Sequence, residues 1–99
     1  MTNSAVRAPV VLSLPFSASS VPVARQRLKG WMSDLGGSGE SVDDARLVIS
    51  ELVANAVRHA RPLADGRILV SWTLEGDAIE VSVTDGGSGS RPRAVHAPS

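Results

Sequence analysis

The sequence contains no cysteine. That absence excludes disulfide staples, thiolate zinc sites and cysteine nucleophiles together, and it fits a reducing cytoplasm. Histidine is scarce as well: His59 and His96 are too few and too far apart for a histidine metal cage. Net charge is absent, because ten basic residues cancel ten acidic ones. No global field is left to recruit nucleic acid or an anionic membrane, so neither is expected as a partner. Arg58, Arg61 and Arg67 cluster loosely along the chain and read as a solvated rim. Lysine is nearly missing, Lys29 standing against nine arginines, and nothing about function follows from that bias. Long apolar runs are missing too. The longest near the N-terminus, Ala8 to Phe16, is broken by Ser13 and Pro15. It is too short to span a bilayer, and a secretory leader needs a longer apolar run behind a basic start.

What is present is an ordinary soluble composition. The chain has 99 residues, 42% of them apolar and 20% charged, which predicts one small domain. Residues 1–8 read as a loose tail. Val10 to Leu14 is a short β-rich run ahead of Pro15, and predicts a strand. Ser19 or Ser20 would cap a helix that has Pro22 in its first turn. Val23, Leu28, Trp31, Met32 and Leu35 then recur at helical spacing until Gly36-Gly37-Ser38-Gly39 stops them.

A second helix is predicted from Ser41, with Asp44 completing a capping box, to about Ala60, before Arg61-Pro62. Ala45, Ile49, Leu52, Val53, Ala56, Val57 and Ala60 form its apolar arc, with Asp44, Glu51, Asn55 and Arg58 opposite. Ile68, Val70, Trp72 and Leu74 then alternate in a strand. Glu75-Gly76-Asp77 is a tight turn, and Ile79, Val81 and Val83 alternate in the next strand. After Asp85 the chain is rich in Gly, Ser, Pro and Arg, and an open loop is expected. The fold class is therefore an α+β two-layer sandwich, with two helices on one face of a mixed or antiparallel sheet.

Two local features could carry chemistry. Glu51 and Asn55 lie four residues apart, so they stack on one helix face. Asn is a poor helix former, and here it sits well inside a helix with no end to cap. Taken alone, the pair is equally a solvated polar stripe. Asp85 has the strand parity of Ile79, Val81 and Val83, so it should point toward the helices. A carboxylate on an apolar face needs a hydrogen-bond partner. Gly87 and Gly89 behind it permit close backbone approach to a ligand. Alternatively, Asp85 caps its own turn.

Glu51-Leu52-Val53-Ala54-Asn55-Ala56-Val57-Arg58-His59-Ala60 resembles the N-box of GHKL-type ATPases, closest to the bacterial anti-sigma-factor serine kinases. Asp85-Gly86-Gly87-Ser88-Gly89 resembles that family's first glycine box. Order, separation and helix-helix-strand-strand arrangement agree, and the resemblance covers roughly Val10 to Pro92. It implies an incomplete Bergerat-type fold, with residues 9–90 forming the N-terminal part of an ATP-binding domain and 91–99 starting a truncated ATP lid. It implies ATP and Mg²⁺ as cofactors. Glu51 would be the catalytic base, taking a proton from water or a serine hydroxyl. Asn55 would offer its side-chain oxygen to the metal. Asp85 would accept from the adenine amine, Gly87 would admit the base, and Gly89 would open the lid. His59 and Ala60 complete the box, His59 as a structural or nucleotide-adjacent residue.

The family's second glycine box has no counterpart before Ser99, so the chain reads as a truncated or partial domain. By resemblance it is a serine/threonine protein kinase regulating transcription as an anti-sigma factor. Its partners would be a sigma factor and an anti-anti-sigma protein, with a homodimer as the assembly. The alternative is a non-catalytic interaction module. A sensor histidine kinase fits less well, since no phosphoacceptor helix precedes the domain.

Overall fold

The alternating apolar segments of the sequence become strands of one sheet. The computed structural model describes residues 8–37, 39–87 and 89–96. The elements are β1 Val10–Pro15, α1 Ser20–Asp34, α2 Gly39–His59, β2 Arg67–Glu75, β3 Ala78–Asp85 and β4 Gly89–His96. The tail before Ala8, Ser38, Ser88 and residues 97–99 lie outside the described residues.

The sheet order is β1-β2-β3-β4, and every neighbouring pair is antiparallel, which decides between the two sheet types left open by the sequence. Register follows from side-chain alternation. Leu12 pairs with Val70 and Val70 with Val83, all buried on the helix side. Val81 pairs with buried Trp72. Gly76 opens a two-residue turn between paired Glu75 and Ala78 with φ of 62°, the positive φ that primed hairpin turns demand. The same alternation carries through to Asp85, which is only 3% exposed.

Both helices cover one face of this sheet: α2 lies over β3 and β4, and α1 packs beside α2 and reaches β1. In α1, Ala24, Leu28 and Met32 recur every fourth residue and are buried. In α2, Val42, Ala45, Ile49, Val53 and Ala56 do the same work. The larger of these, Leu28, Met32, Val42, Ile49 and Val53, each contribute about 1.5–3 kcal/mol by leaving water. Trp31 meets Trp72 edge-on, with ring centres 6.3 Å apart and planes at 63°. That geometry joins α1 to β2 and adds about 1 kcal/mol beyond burial.

Helix boundaries differ from the sequence reading in three places. Neither serine caps α1 with its side chain. Ser19 precedes the helix without a side-chain cap bond, and the buried Ser20 hydroxyl donates to the Pro15 carbonyl at 2.6 Å. Ser41 does not cap α2 either. The helix starts at Gly39, so Ser41 sits inside it and is buried, and Glu40 supplies the acidic residue of the first turn. The early start follows from how α1 ends. Gly36, at φ of 79°, donates to Ser33, and Gly37 donates to Met32. This paired C-terminal cap reverses the chain at once. Third, α2 closes at His59, one residue short of the expected end.

The open loop expected after Asp85 is a strand. β4 pairs along β3 from Asp85 opposite Gly89 to Ala78 opposite His96. The physical reason is the unpaired β3 edge, whose N–H and C=O groups favour any extended neighbour. Pro92 obscured this in the sequence, yet proline is tolerated in an edge strand, which β4 is.

Candidate functional site

The exposed face of α2 carries Glu51 and Asn55 one turn apart. Together with Val21, Ser50, Ala54 and Arg58 they line an open groove of about 490 Å³ between the two helices. Asn55 does not stand alone in it: its Oδ1 accepts from Arg58 Nη2 at 2.9 Å. The Ser50 hydroxyl donates to the Arg46 carbonyl at 2.7 Å and accepts from Arg25 Nη1 at 3.4 Å, which ties α1 to the groove wall. Arg58 in the lining, and Arg25 through its bond to Ser50, bring positive charge to the groove, which favours an anionic ligand.

Asp85 ends β3 on the helix-facing side, as its parity required. Its Oδ1 accepts from the Gly87 N–H at 2.7 Å. Both sequence readings of Asp85 thus hold: it is an inward carboxylate, and it also caps its own turn. The turn rests on the exit of α2. The Gly86 N–H donates to the Arg61 carbonyl at 2.9 Å. A side chain at Gly86 would drive into the Pro62 carbonyl oxygen, with the Pro62 carbonyl carbon at 3.0 Å and Leu63 Cα at 3.3 Å. At Gly87 a Cβ would meet only ordinary contacts, the nearest being Asp85 Oδ1 at 3.5 Å.

The predicted residues therefore fall into two neighbouring groups. Glu51 and Asn55 share the groove with Arg58, whereas the groove lining does not include Asp85 or Gly87. Asp85, Gly86 and Gly87 gather instead against Arg61 and Pro62. His59 is exposed at the last position of α2. Ala60 is half-buried and donates to the Ala56 carbonyl at 2.9 Å, extending the helical pattern past His59. Gly89 opens β4 opposite Asp85.

Sequence reasoning missed the part played by Gly86 and by the Arg61-Pro62 segment. A signal was present, since a second glycine directly after an inward-facing aspartate marks close backbone packing, and a proline break ends the preceding helix. It was masked because Gly87 and Gly89 drew the attention that a ligand-facing glycine attracts. Among the described residues no group of three or more His, Asp or Glu is placed to hold a metal. Any cation here would need ligand oxygens from elsewhere in addition to Asn55. No helix among the described residues is long and apolar enough to cross a membrane.

Known proteins resemble the chain in sequence and in fold. The family model described as a histidine kinase-like ATPase domain matches residues 14–99. The serine-protein kinase RsbW of Listeria monocytogenes serovar 1/2a is 35% identical over 80 residues, covering 80% of this chain and 51% of that protein. The protein of the same name from Oceanobacillus iheyensis is 33% identical over 79 residues, covering 79% of this chain and 50% of its own length. The chain thus spans about half the length of these relatives. The crystal structure of the RsbU and RsbW domains of Rv1364c from Mycobacterium tuberculosis superposes with a TM-score of 0.76 at 21% identity. That match covers 92% of this chain and 32% of the other, and it shows the same α+β fold. With the family model matching residues 14–99, the chain belongs to the histidine kinase-like ATPase domain family.

Proposed function

We propose that this domain binds Mg-ATP and, within a longer kinase of the anti-sigma type, directs phosphoryl transfer to a serine of an anti-anti-sigma protein. The observation that carries the reading is Asp85. It is a buried carboxylate at a strand end, facing the helices, with its turn locked onto the exit of the helix that bears Glu51 and Asn55.

The residues present fit magnesium held jointly with a nucleotide. Mg²⁺ takes oxygen ligands, keeps several waters, and is commonly bound through few protein groups plus substrate phosphates. Asn55 offers one amide oxygen in a groove with a cationic flank, and no all-protein metal cage competes among the described residues. Bound Mg-ATP supplies the transferable phosphoryl group. Glu51 would take the proton of the attacking serine hydroxyl as the serine oxygen bonds to the γ-phosphorus and the bond from that phosphorus to the β–γ bridging oxygen breaks, ADP leaving. Asn55 would offer its oxygen to the metal, and Arg58 would supply positive charge toward the phosphates. Asp85 accepts from the exocyclic amine of adenine, and Gly87 gives the base room. His59 and Ala60, at the end of α2, would complete the nucleotide-binding box. Gly89 pairs opposite Asp85 where β4 joins β3. By likeness to the RsbW kinases, the partners are a sigma factor and an anti-anti-sigma protein, the assembly is a homodimer, and the compartment is the cytoplasm.

The test is calorimetric titration with ATP in the presence and absence of Mg²⁺, followed by radiolabel transfer from ATP to an anti-anti-sigma protein. Saturable binding that requires Mg²⁺, lost in Asn55→Ala, is the expected result. Absence of binding by the domain extended to the length of its relatives would sink the reading. A second reading, a non-catalytic interaction module, is supported by one observation: Asp85 does not line the Glu51–Asn55 groove. Phosphate transfer by this chain itself, lost in Glu51→Gln, would refute that alternative.

A further inference from the structure

The Asp85 turn has a cationic neighbour that the proposed chemistry does not use. Arg61 follows directly on the end of α2, and its backbone clamps the turn by accepting the Gly86 N–H at 2.9 Å. Its side chain runs alongside as well: a Cβ placed on Gly87 would lie 3.6 Å from Arg61 N and 3.8 Å from Arg61 Cγ. The same Cβ would lie 3.5 Å from Asp85 Oδ1, so the arginine stem and the carboxylate both border Gly87. The guanidinium begins beyond Cδ, on an exposed side chain. It makes no hydrogen bond or ion pair among the described residues. Arg25, Arg46, Arg58 and Arg67 all differ in this respect, being engaged by Ser50, Asp43, Asn55 and Ser13.

We propose that Arg61 is a second base-reading residue, donating from its guanidinium to a ring nitrogen beside the exocyclic amine that Asp85 accepts. The inference rests on the nucleotide reading above and deepens it. Adenine presents an amine donor flanked by ring-nitrogen acceptors, N7 on one edge and N1 on the other. A carboxylate and a guanidinium separated by one glycine form the complementary acceptor and donor. Guanine and hypoxanthine place O6 where adenine has its amine. An arginine alone favours O6 and N7 together, as it does on guanine in DNA. The Asp85 carboxylate repels O6, so the two residues in combination select adenine, and Arg61 strengthens a choice that Asp85 makes.

The experiment titrates the 99-residue chain, and the domain extended to the length of its relatives, with the magnesium complexes of ATP, 7-deaza-ATP, 1-deaza-ATP and ITP, read by the amide shifts of Gly86 and Gly87. In the unaltered chain, one of the two deaza analogues should bind about tenfold more weakly than ATP, the lower end for one hydrogen bond from a charged group. Which analogue weakens identifies the ring nitrogen. In Arg61→Ala that discrimination should vanish while ITP remains weaker than ATP. Arg61→Lys, which keeps the charge and one donor, should restore part of it. Deaza analogues that bind like ATP, with ITP still weaker, would overturn the role of Arg61 and leave Asp85 standing. ITP binding like ATP, or no shift with any nucleotide, would overturn the adenine reading and this inference with it. The deaza comparison in the unaltered chain decides the matter even if a variant fails to fold.

Discussion

Gly86→Ala separates packing from chemistry at the centre of the site. Gly86 is not among the glycines with positive φ, so alanine meets no backbone penalty there. The obstacle is steric. The new methyl would overlap the Pro62 carbonyl oxygen, and the neighbouring atoms are backbone, with Leu63 Cα at 3.3 Å. Backbone cannot swing aside as a side-chain tip can. Overpacking of this kind costs about 1–3 kcal/mol. Relief by moving the turn would also stretch the Gly86 N–H bond to the Arg61 carbonyl, worth about 1 kcal/mol. The sum is about 2–4 kcal/mol against a total stability of about 5–15 kcal/mol for a domain of this size. At about 4–8 °C per kcal/mol, the melting temperature should fall by roughly 8–30 °C. Gly87→Ala is the matched control: among the described residues its methyl meets nothing nearer than 3.5 Å, and its φ is not positive, so its melt should shift by no more than about 5 °C. It should nonetheless weaken nucleotide binding, because the methyl would fill the space assigned to the base. Circular dichroism melts and urea titrations read the stability, and calorimetry reads the binding. A Gly86→Ala melt within about 3 °C of the parent, at unchanged urea dependence, would show that the turn does not rest on Pro62.

Three further outcomes follow from the same geometry. Asn55→Ala should abolish Mg-dependent nucleotide binding with little change in melting. It removes an exposed bond from Arg58 worth about 0.2–0.5 kcal/mol, and alanine's helix propensity returns a similar amount; retained affinity measured by calorimetry would contradict the metal role. Asp85→Asn should weaken ATP and reduce its preference over GTP, because an amide can present a donor where an acceptor is required. Competition titrations with the two nucleotides check it, and an unchanged preference counts against the adenine contact. Trp72→Ala should cost about 3–5 kcal/mol, since the ring is fully buried and braces Trp31; a chemical denaturation midpoint close to the parent's would contradict the packing.

Much of this was legible in the sequence because one physical rule governed it. Period-two alternation in Ile68, Val70, Trp72 and in Ile79, Val81, Val83 gave the two central strands, and carrying the parity two residues on placed Asp85 inward. Period-3.6 spacing separated the buried arc of α2 from the Glu51 and Asn55 face. Features set by competition between partners were not legible. Ser41 and Asp44 fit a capping box, yet the Gly36 and Gly37 cap on α1 turned the chain early enough to start α2 at Gly39. β4 carries proline and little alternation, and forms because β3 offers an unpaired edge, which no local window contains. The support beneath Gly86 is of the same kind, since it depends on where Pro62 arrives in space.

The two groups of site residues share one mechanical support. Glu51, Asn55 and Arg58 ride on the last two turns of α2, and the segment directly after that helix holds the Asp85 turn by the Arg61 carbonyl and the Pro62 contact. On its other side, Leu63 donates to Arg67 and Gly66 donates to Leu63, at 2.8 Å each, which fixes the segment to the start of β2. A shift of α2 along its axis would therefore move the groove and the Asp85 turn together rather than apart. This coupling favours a ligand long enough to reach from one to the other. A nucleoside triphosphate, with its base at one end and its phosphates at the other, has that shape, whereas a small anion confined to the Arg58 groove would draw nothing from Asp85. The pairing of the Asp85 turn with a groove on the helix that supports it is thus a stronger argument for the proposed nucleotide than either group of residues alone.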